Sequence, residues 1–129
     1  PDGLDFTQGS DCSQNPGRLY LRDVLFTRDP SQRVGGVTNQ WGAEFFESSD
    51  YLLTPGYLEQ ITMPVTLISA SKDTYVVTDY NSRACSDQFP DCQEITPPGS
   101  GHCLLQESDR ILEQMFSEID ALLERAVRR

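Results

Sequence analysis

Apolar positions follow their clearest pattern in the second half of the chain. Residues 63–70, MPVTLISA, form a short apolar run rich in β-branched side chains, which predicts a central strand of a parallel sheet. After a polar turn, the spacing predicts a helix from Thr78 to about Phe89, with Thr78 or Asp79 as its N-cap. Residues 93–96 predict a second strand.

The last helix has the strongest signal of all. Ser108 can cap it, and apolar residues recur every three or four positions from Ile111 to Ala126, which predicts one buried stripe. The resulting order of strand, helix, strand and helix is that of an α/β sheet.

The first half of the chain is less regular. We expect one short helix over residues 18–29, ended by Pro30, and another over residues 38–48 that buries aromatic side chains and is capped by Thr38. The pattern predicts irregular structure in three further segments: a loop at 1–17, a turn at Gly35–Gly36 and a connection at 50–60.

Charge narrows the range of partners. The chain carries 20 acidic and 10 basic residues, a net charge of −10. A nucleic-acid partner is therefore not expected, because Lys and Arg must neutralise phosphates. Binding to anionic lipid by charge alone is disfavoured for the same reason. No apolar run approaches the roughly 20 residues that a membrane-spanning helix needs.

Four cysteines leave two alternatives open. Cys85 and Cys92 flank a predicted turn and could form a disulfide, but free, partly buried thiols are the commoner case in an enzyme of cytosolic type. A zinc site is not expected, because the chain has no CxxC pair and a single histidine. Cys103 stands beside that histidine, but neighbouring loop residues usually point apart, so we do not expect it to be a nucleophile.

An acid and a histidine follow the two predicted strands. Taken singly, Asp73 fits a turn residue and His102 a surface loop histidine. Taken together they follow consecutive strand ends, which meet at one edge of a parallel sheet. A carboxylate there can accept the Nδ1–H of an imidazole and orient it, while the other nitrogen takes a proton from a serine. We therefore predict a catalytic pair.

These segments also carry a resemblance to a known family. ITMPVTLISASKDTYV resembles the strand-and-acid motif of the α/β-hydrolase superfamily, and PGSGHCLLQESD is similar to its histidine loop. RVGGVTNQWGAEFF is similar to the cap segment of bacterial lysophospholipase L2 and monoacylglycerol-lipase-like hydrolases. The likeness extends from about Arg18 to Ala126.

The resemblance implies a fold, a reaction and a set of residues. The fold is the C-terminal portion of an α/β-hydrolase, a parallel sheet with flanking helices, with part of the helical cap: residues 1–60 form the cap segment and connection, and residues 61–129 the core segment. The reaction is hydrolysis of carboxylic esters, of the lysophospholipase or monoacylglycerol lipase kind, without metal or cofactor. Asp73 and His102 are the triad acid and general base. An acyl pocket is implied to be walled by Trp41, Phe45, Phe46, Leu104 and Leu105.

The nucleophile is the main departure from the family pattern. No G-x-S-x-G occurs in the chain, so the implied partner is an N-terminal half of the hydrolase that carries the serine, in a separate chain or upstream of Pro1. The other expected partner is a small lipid or ester, with transient membrane contact. We expect a cytoplasmic or peripheral membrane location, and leave a secreted or periplasmic one open. The alternatives are a non-catalytic α/β-hydrolase-like binding domain, an inactive fragment, or an unrelated small α/β fold with chance motifs.

Overall fold

The computed structural model describes residues 12–32 and 36–128, so most of the predicted N-terminal loop, and Gly35 of the predicted turn, lie outside the described residues. Within those ranges the chain is mixed α/β, with four α-helices and a two-stranded parallel sheet. The elements are α1 (Pro16–Arg28), α2 (Asn39–Leu52), β1 (Val65–Ile68), α3 (Thr78–Asp87), β2 (Cys92–Ile95) and α4 (Asp109–Val127). Short 3-10 turns lie at Pro30–Gln32, Leu58–Gln60 and Leu104–Gln106.

Polar caps begin both helices of the first half. The Asn15 side chain accepts the first amides of α1, and Pro16 occupies the first turn, where its missing N–H costs nothing. Thr38 caps α2 through the Trp41 amide, as predicted. Neither helix contains a buried residue. The prediction that α2 buries its aromatic side chains is therefore wrong within the described residues.

The two strands and α3 form one β-α-β unit. β1 and β2 pair in parallel, with Val65 opposite Cys92 and Ile68 opposite Ile95. β1 is shorter than the predicted 63–70 by two residues at each end, because only Val65–Ile68 pair with β2, and β2 begins and ends one residue before the predicted 93–96. α3 begins at Thr78, and the cap position is Val77, which offers no side-chain acceptor, so the predicted Thr78 or Asp79 cap is wrong.

α4 packs against β1 and is buried only in part. Ile111 and Met115 are buried, whereas Phe116 and Leu123 are 55% and 57% exposed. Only part of the predicted buried stripe is therefore covered by the described residues. Further along the helix, the Arg125 guanidinium donates hydrogen bonds to the Val65 carbonyl and the Thr66 hydroxyl of β1.

All four cysteines are paired. Cys85 joins Cys92 across the turn between α3 and β2, and Cys12 joins Cys103, 91 residues away. The expectation of free thiols is therefore wrong, and the disulfide alternative for the first pair is right. The second pair was not predicted. No helix among residues 12–32 and 36–128 is both long enough and apolar enough to cross a bilayer.

Candidate active site

Asp73 and His102 meet at the edge of the sheet where both strands end. β1 leads into the turn that carries Asp73, and β2 into the loop that carries His102. The His102 Nδ1 lies 2.9 Å from Oδ2 of Asp73 and 3.2 Å from Oδ1. The contact that sequence order and strand ends predicted is therefore present.

The Asp73 carboxylate is hydrogen-bonded both to the His102 ring and to backbone N–H groups of its own turn. Its side chain is only 7% exposed, and Oδ1 accepts the backbone N–H groups of Tyr75 and Val76 at 2.9 and 3.0 Å. Burial pushes the pKa of Asp73 upward, but the hydrogen bonds from His102, Tyr75 and Val76, with the nearby imidazole charge, outweigh it and leave the pKa below its ordinary value. Asp73 is therefore ionised at neutral pH.

His102 is oriented but reachable. Because Nδ1 faces the carboxylate, the neutral imidazole carries its proton there, and Nε2 is the nitrogen that can accept one. The His102 side chain is 40% exposed, and the Tyr75 ring lies against it with the ring centres 5.0 Å apart. An imidazole in this state can act as a general base toward a group approaching from solvent.

Two serines lock the acid turn to the histidine loop. The Ser71 hydroxyl accepts the amides of Gly99 and Ser100 at 2.8 and 3.2 Å. In return, the Ser100 hydroxyl accepts the Ser71 amide at 3.0 Å and donates to the Pro97 carbonyl at 2.7 Å. Gly99 has a φ of +81°, which disfavours other residues at this turn. Sequence reasoning missed this lock, although Ser71 stands two positions before Asp73 and Ser100 two positions before His102.

Ser100 is not a concealed nucleophile. Its side chain is fully buried, and its hydroxyl is engaged as both donor and acceptor. Cys103 is likewise engaged in its disulfide with Cys12. Neither residue can therefore supply the group that His102 would activate.

The predicted substrate-binding residues lie in two places. On α2, Trp41 stacks on Phe45 with ring centres 5.3 Å apart, and Phe46 meets Phe45 edge-on; all three are about half exposed or more. Within the described residues, the ring contacts of this aromatic trio are with one another and not with the Asp73–His102 pair. Leu104 begins the 3-10 turn two residues after His102, with Leu105 exposed beside it.

An open depression adjoins the acid turn. It has a volume of about 380 Å³ and is lined by residues 73–79, so Asp73 forms one end of it. The hydroxyl-bearing residues of its lining are Thr74, Tyr75 and Thr78.

Comparison with known proteins adds no family to this geometry. No protein-family model matches the chain, and neither a curated protein nor a solved structure matches it. The chemistry must therefore be inferred from the residues of the site.

Proposed function

We propose that Asp73 and His102 are the acid and general base of a serine hydrolase that acts on carboxylic esters. The observation that carries the proposal is the buried, ionised Asp73 carboxylate 2.9 Å from Nδ1 of His102, the side of the ring that orients a general base. The order of acid before histidine, after successive parallel strands, is that of α/β-hydrolases.

The mechanism is acyl transfer in two steps. His102 removes the proton from a serine hydroxyl as its oxygen attacks the ester carbonyl, and then returns that proton to the departing alcohol. Asp73 keeps the imidazole in the required tautomer and stabilises the imidazolium. Water, activated by the same histidine, then releases the acid and restores the serine.

The serine belongs, in this proposal, to a further segment that completes the sheet. The two strands support this, because parallel sheets are normally covered on both faces, yet no residue of β1 or β2 is fully buried. The exposed apolar side chains of α4, among them Phe116 and Leu123, support it as well. We expect the missing segment to contact these surfaces and to supply both the G-x-S-x-G turn and the oxyanion hole.

The substrate class rests on the family resemblance. A lysophospholipid or a monoacylglycerol has one fatty acyl chain and a polar remainder. The half-exposed trio of Trp41, Phe45 and Phe46 offers a surface of matching character. An enzyme with this trio should favour long acyl chains over acetyl esters.

The disulfides bear on the compartment. Structural disulfides persist in oxidising compartments and are rare in the cytosol. With Cys12–Cys103 and Cys85–Cys92 both formed, we propose the secreted or periplasmic location rather than the cytoplasmic one.

Reconstitution tests the proposal. The chain is combined with a hydrolase N-terminal segment that carries G-x-S-x-G, and the complex is assayed with a fluorophosphonate probe, a long-chain monoacylglycerol, a lysophosphatidylcholine and a p-nitrophenyl acetate control. We expect labelling of the serine and hydrolysis of the long-chain esters. His102→Ala should lower the rate by several orders of magnitude and Asp73→Asn by about 10⁴.

Asp87→Asn is the matched control. It makes the same carboxylate-to-amide change at an exposed acid at the end of α3, outside the residues that line the depression. We expect it to leave the rate within about twofold, since surface substitutions have small effects. Wild-type rates in His102→Ala would reject the assignment, and a folded complex without labelling would favour a non-catalytic binding domain.

A further inference from the structure

Glu107 is a buried acid at the end of the histidine loop. It lies two residues before α4 begins and is only 1% exposed. A carboxylate so placed must be hydrogen-bonded, because burying one without partners is costly. Its Oε1 accepts two backbone N–H groups, from Gly101 and from Gln14, each at 2.7 Å. One oxygen atom thus joins the histidine loop to the start of the described chain.

The Gly101 amide is the important partner. It belongs to the residue directly before His102, so its position sets the backbone from which the imidazole projects. Directly after His102, Cys103 is fixed by its disulfide to Cys12 and by donating its amide hydrogen to the Cys12 carbonyl. His102 is therefore bracketed on both sides by ties to the segment 12–14.

A third tie strengthens this arrangement. The Ser13 hydroxyl, itself buried, donates to the Gln106 carbonyl at 2.8 Å, next to Glu107 in the chain. The segment 12–14 thus contacts the histidine loop through a disulfide, the Cys103 amide, the Ser13 hydroxyl and the Glu107 carboxylate. Of these four, only the carboxylate also bonds to the peptide that precedes His102.

We propose that Glu107 is a positioning residue for His102. By holding the Gly101 amide, it keeps the imidazole where Nδ1 can donate to Asp73. The role is indirect, because Glu107 bonds to backbone and not to the ring. The inference rests on the proposed function in one respect: holding His102 against Asp73 matters for activity only if the two residues are the acid and base of the hydrolase.

The test uses the single histidine of the chain as its own reporter. The ¹⁵N shifts of the imidazole, read at alkaline pH, show which ring nitrogen carries the proton, and no other histidine overlaps the signal. Glu107→Met removes the acceptor while keeping a similar volume. Glu107→Gln keeps one oxygen of equal reach.

Glu94→Met is the matched control. It makes the same change at a half-buried carboxylate that accepts a hydrogen bond from Ser69 at 2.6 Å, on β2 and away from the histidine loop. A role limited to general stability predicts that both Met variants lower the midpoint of unfolding while the imidazole spectrum stays unchanged.

We expect the ratio of Nδ1–H to Nε2–H tautomers to fall about tenfold or more in Glu107→Met, as the charge-assisted bond to Asp73 is lost. Glu107→Gln and Glu94→Met should retain the wild-type ratio. An unchanged ratio in a folded Glu107→Met variant overturns the inference. If that variant does not fold, Glu107→Asp replaces it, because its carboxylate is one methylene too short to bridge both amides, and the same two outcomes decide.

Failure of this inference is distinguishable from failure of the proposed function. The spectrum of the unaltered chain reports the Asp73–His102 pairing without any serine or substrate. A wild-type ratio equal to that of Asp73→Asn would remove the pair itself and both proposals with it. A normal wild-type ratio that Glu107→Met leaves unchanged would remove only the role of Glu107.

Discussion

Removing the Cys12–Cys103 disulfide should destabilise the fold far more than removing Cys85–Cys92. The first closes a loop of 91 residues and the second a loop of 7. The loss of chain entropy in the unfolded state then corresponds to about 4.6 kcal/mol for the long loop and about 2.4 kcal/mol for the short one at 25 °C. Because a domain of this size is stable by only about 5–15 kcal/mol, the first loss is a large fraction of the total.

The two changes make a matched pair. Each is built as a double cysteine-to-serine variant, Cys12→Ser with Cys103→Ser and Cys85→Ser with Cys92→Ser, so that side-chain chemistry changes equally. Urea unfolding without reductant, followed by far-UV circular dichroism, gives the free energy of unfolding of each. A long-loop cost equal to or below the short-loop cost would refute the reasoning. Such a result would mean that the Cys12–Cys103 disulfide does not lower the entropy of the unfolded chain by the amount expected for its loop length.

Two further predictions concern stability. The pKa of Asp73 is lowered in the folded state, so its ionised form stabilises the fold above the ordinary value of 3.8, and that stabilisation is lost as the pH falls below this value. Asp73→Asn should therefore lower the free energy of unfolding by about 1 kcal/mol at pH 6, and by less as the pH approaches 2. Urea unfolding at each pH measures the difference, and a difference that does not change with pH would contradict the pairing with His102. Arg125→Met should lower the free energy of unfolding by about 1–3 kcal/mol, measured by thermal or urea unfolding, because the Val65 carbonyl loses its hydrogen-bond partner. The same change at Arg128, which forms an exposed i,i+4 ion pair, should lower it by less than about 0.5 kcal/mol. Equal losses in the two variants would contradict the role of Arg125.

The β-α-β order could be predicted because its signals are local. An apolar β-branched run, a polar turn and a helical stripe each depend on neighbours in sequence, and Asp73 and His102 follow from where the strands end. The contact between them could be predicted for the same reason, since parallel strands deliver their ends to one edge.

The supports of the site could not be predicted in this way. The Ser71–Ser100 lock and the Glu107 bridge join residues by hydrogen bonds that no periodicity encodes, and Cys12 finds Cys103 across 91 residues. The apolar stripe of α4 shows a different limit of sequence periodicity, because part of it is exposed. Phe116 obeys the helical period but is 55% exposed, because a period shows which side chains share a face and not whether anything covers it.

The reciprocal bonds of Ser71 and Ser100 join the Asp73 turn and the His102 loop into one preassembled unit. Within the described residues, the pairing of Asp73 with His102 is set by contacts of these two loops and of the segment 12–14. Under the proposed function, the Asp73–His102 pair is assembled before the serine arrives, and the segment with the serine brings the atom that His102 deprotonates. In the reconstitution described above, turnover would then report the docking of that segment, and the chain could be used as one half of a split reporter whose signal is ester hydrolysis.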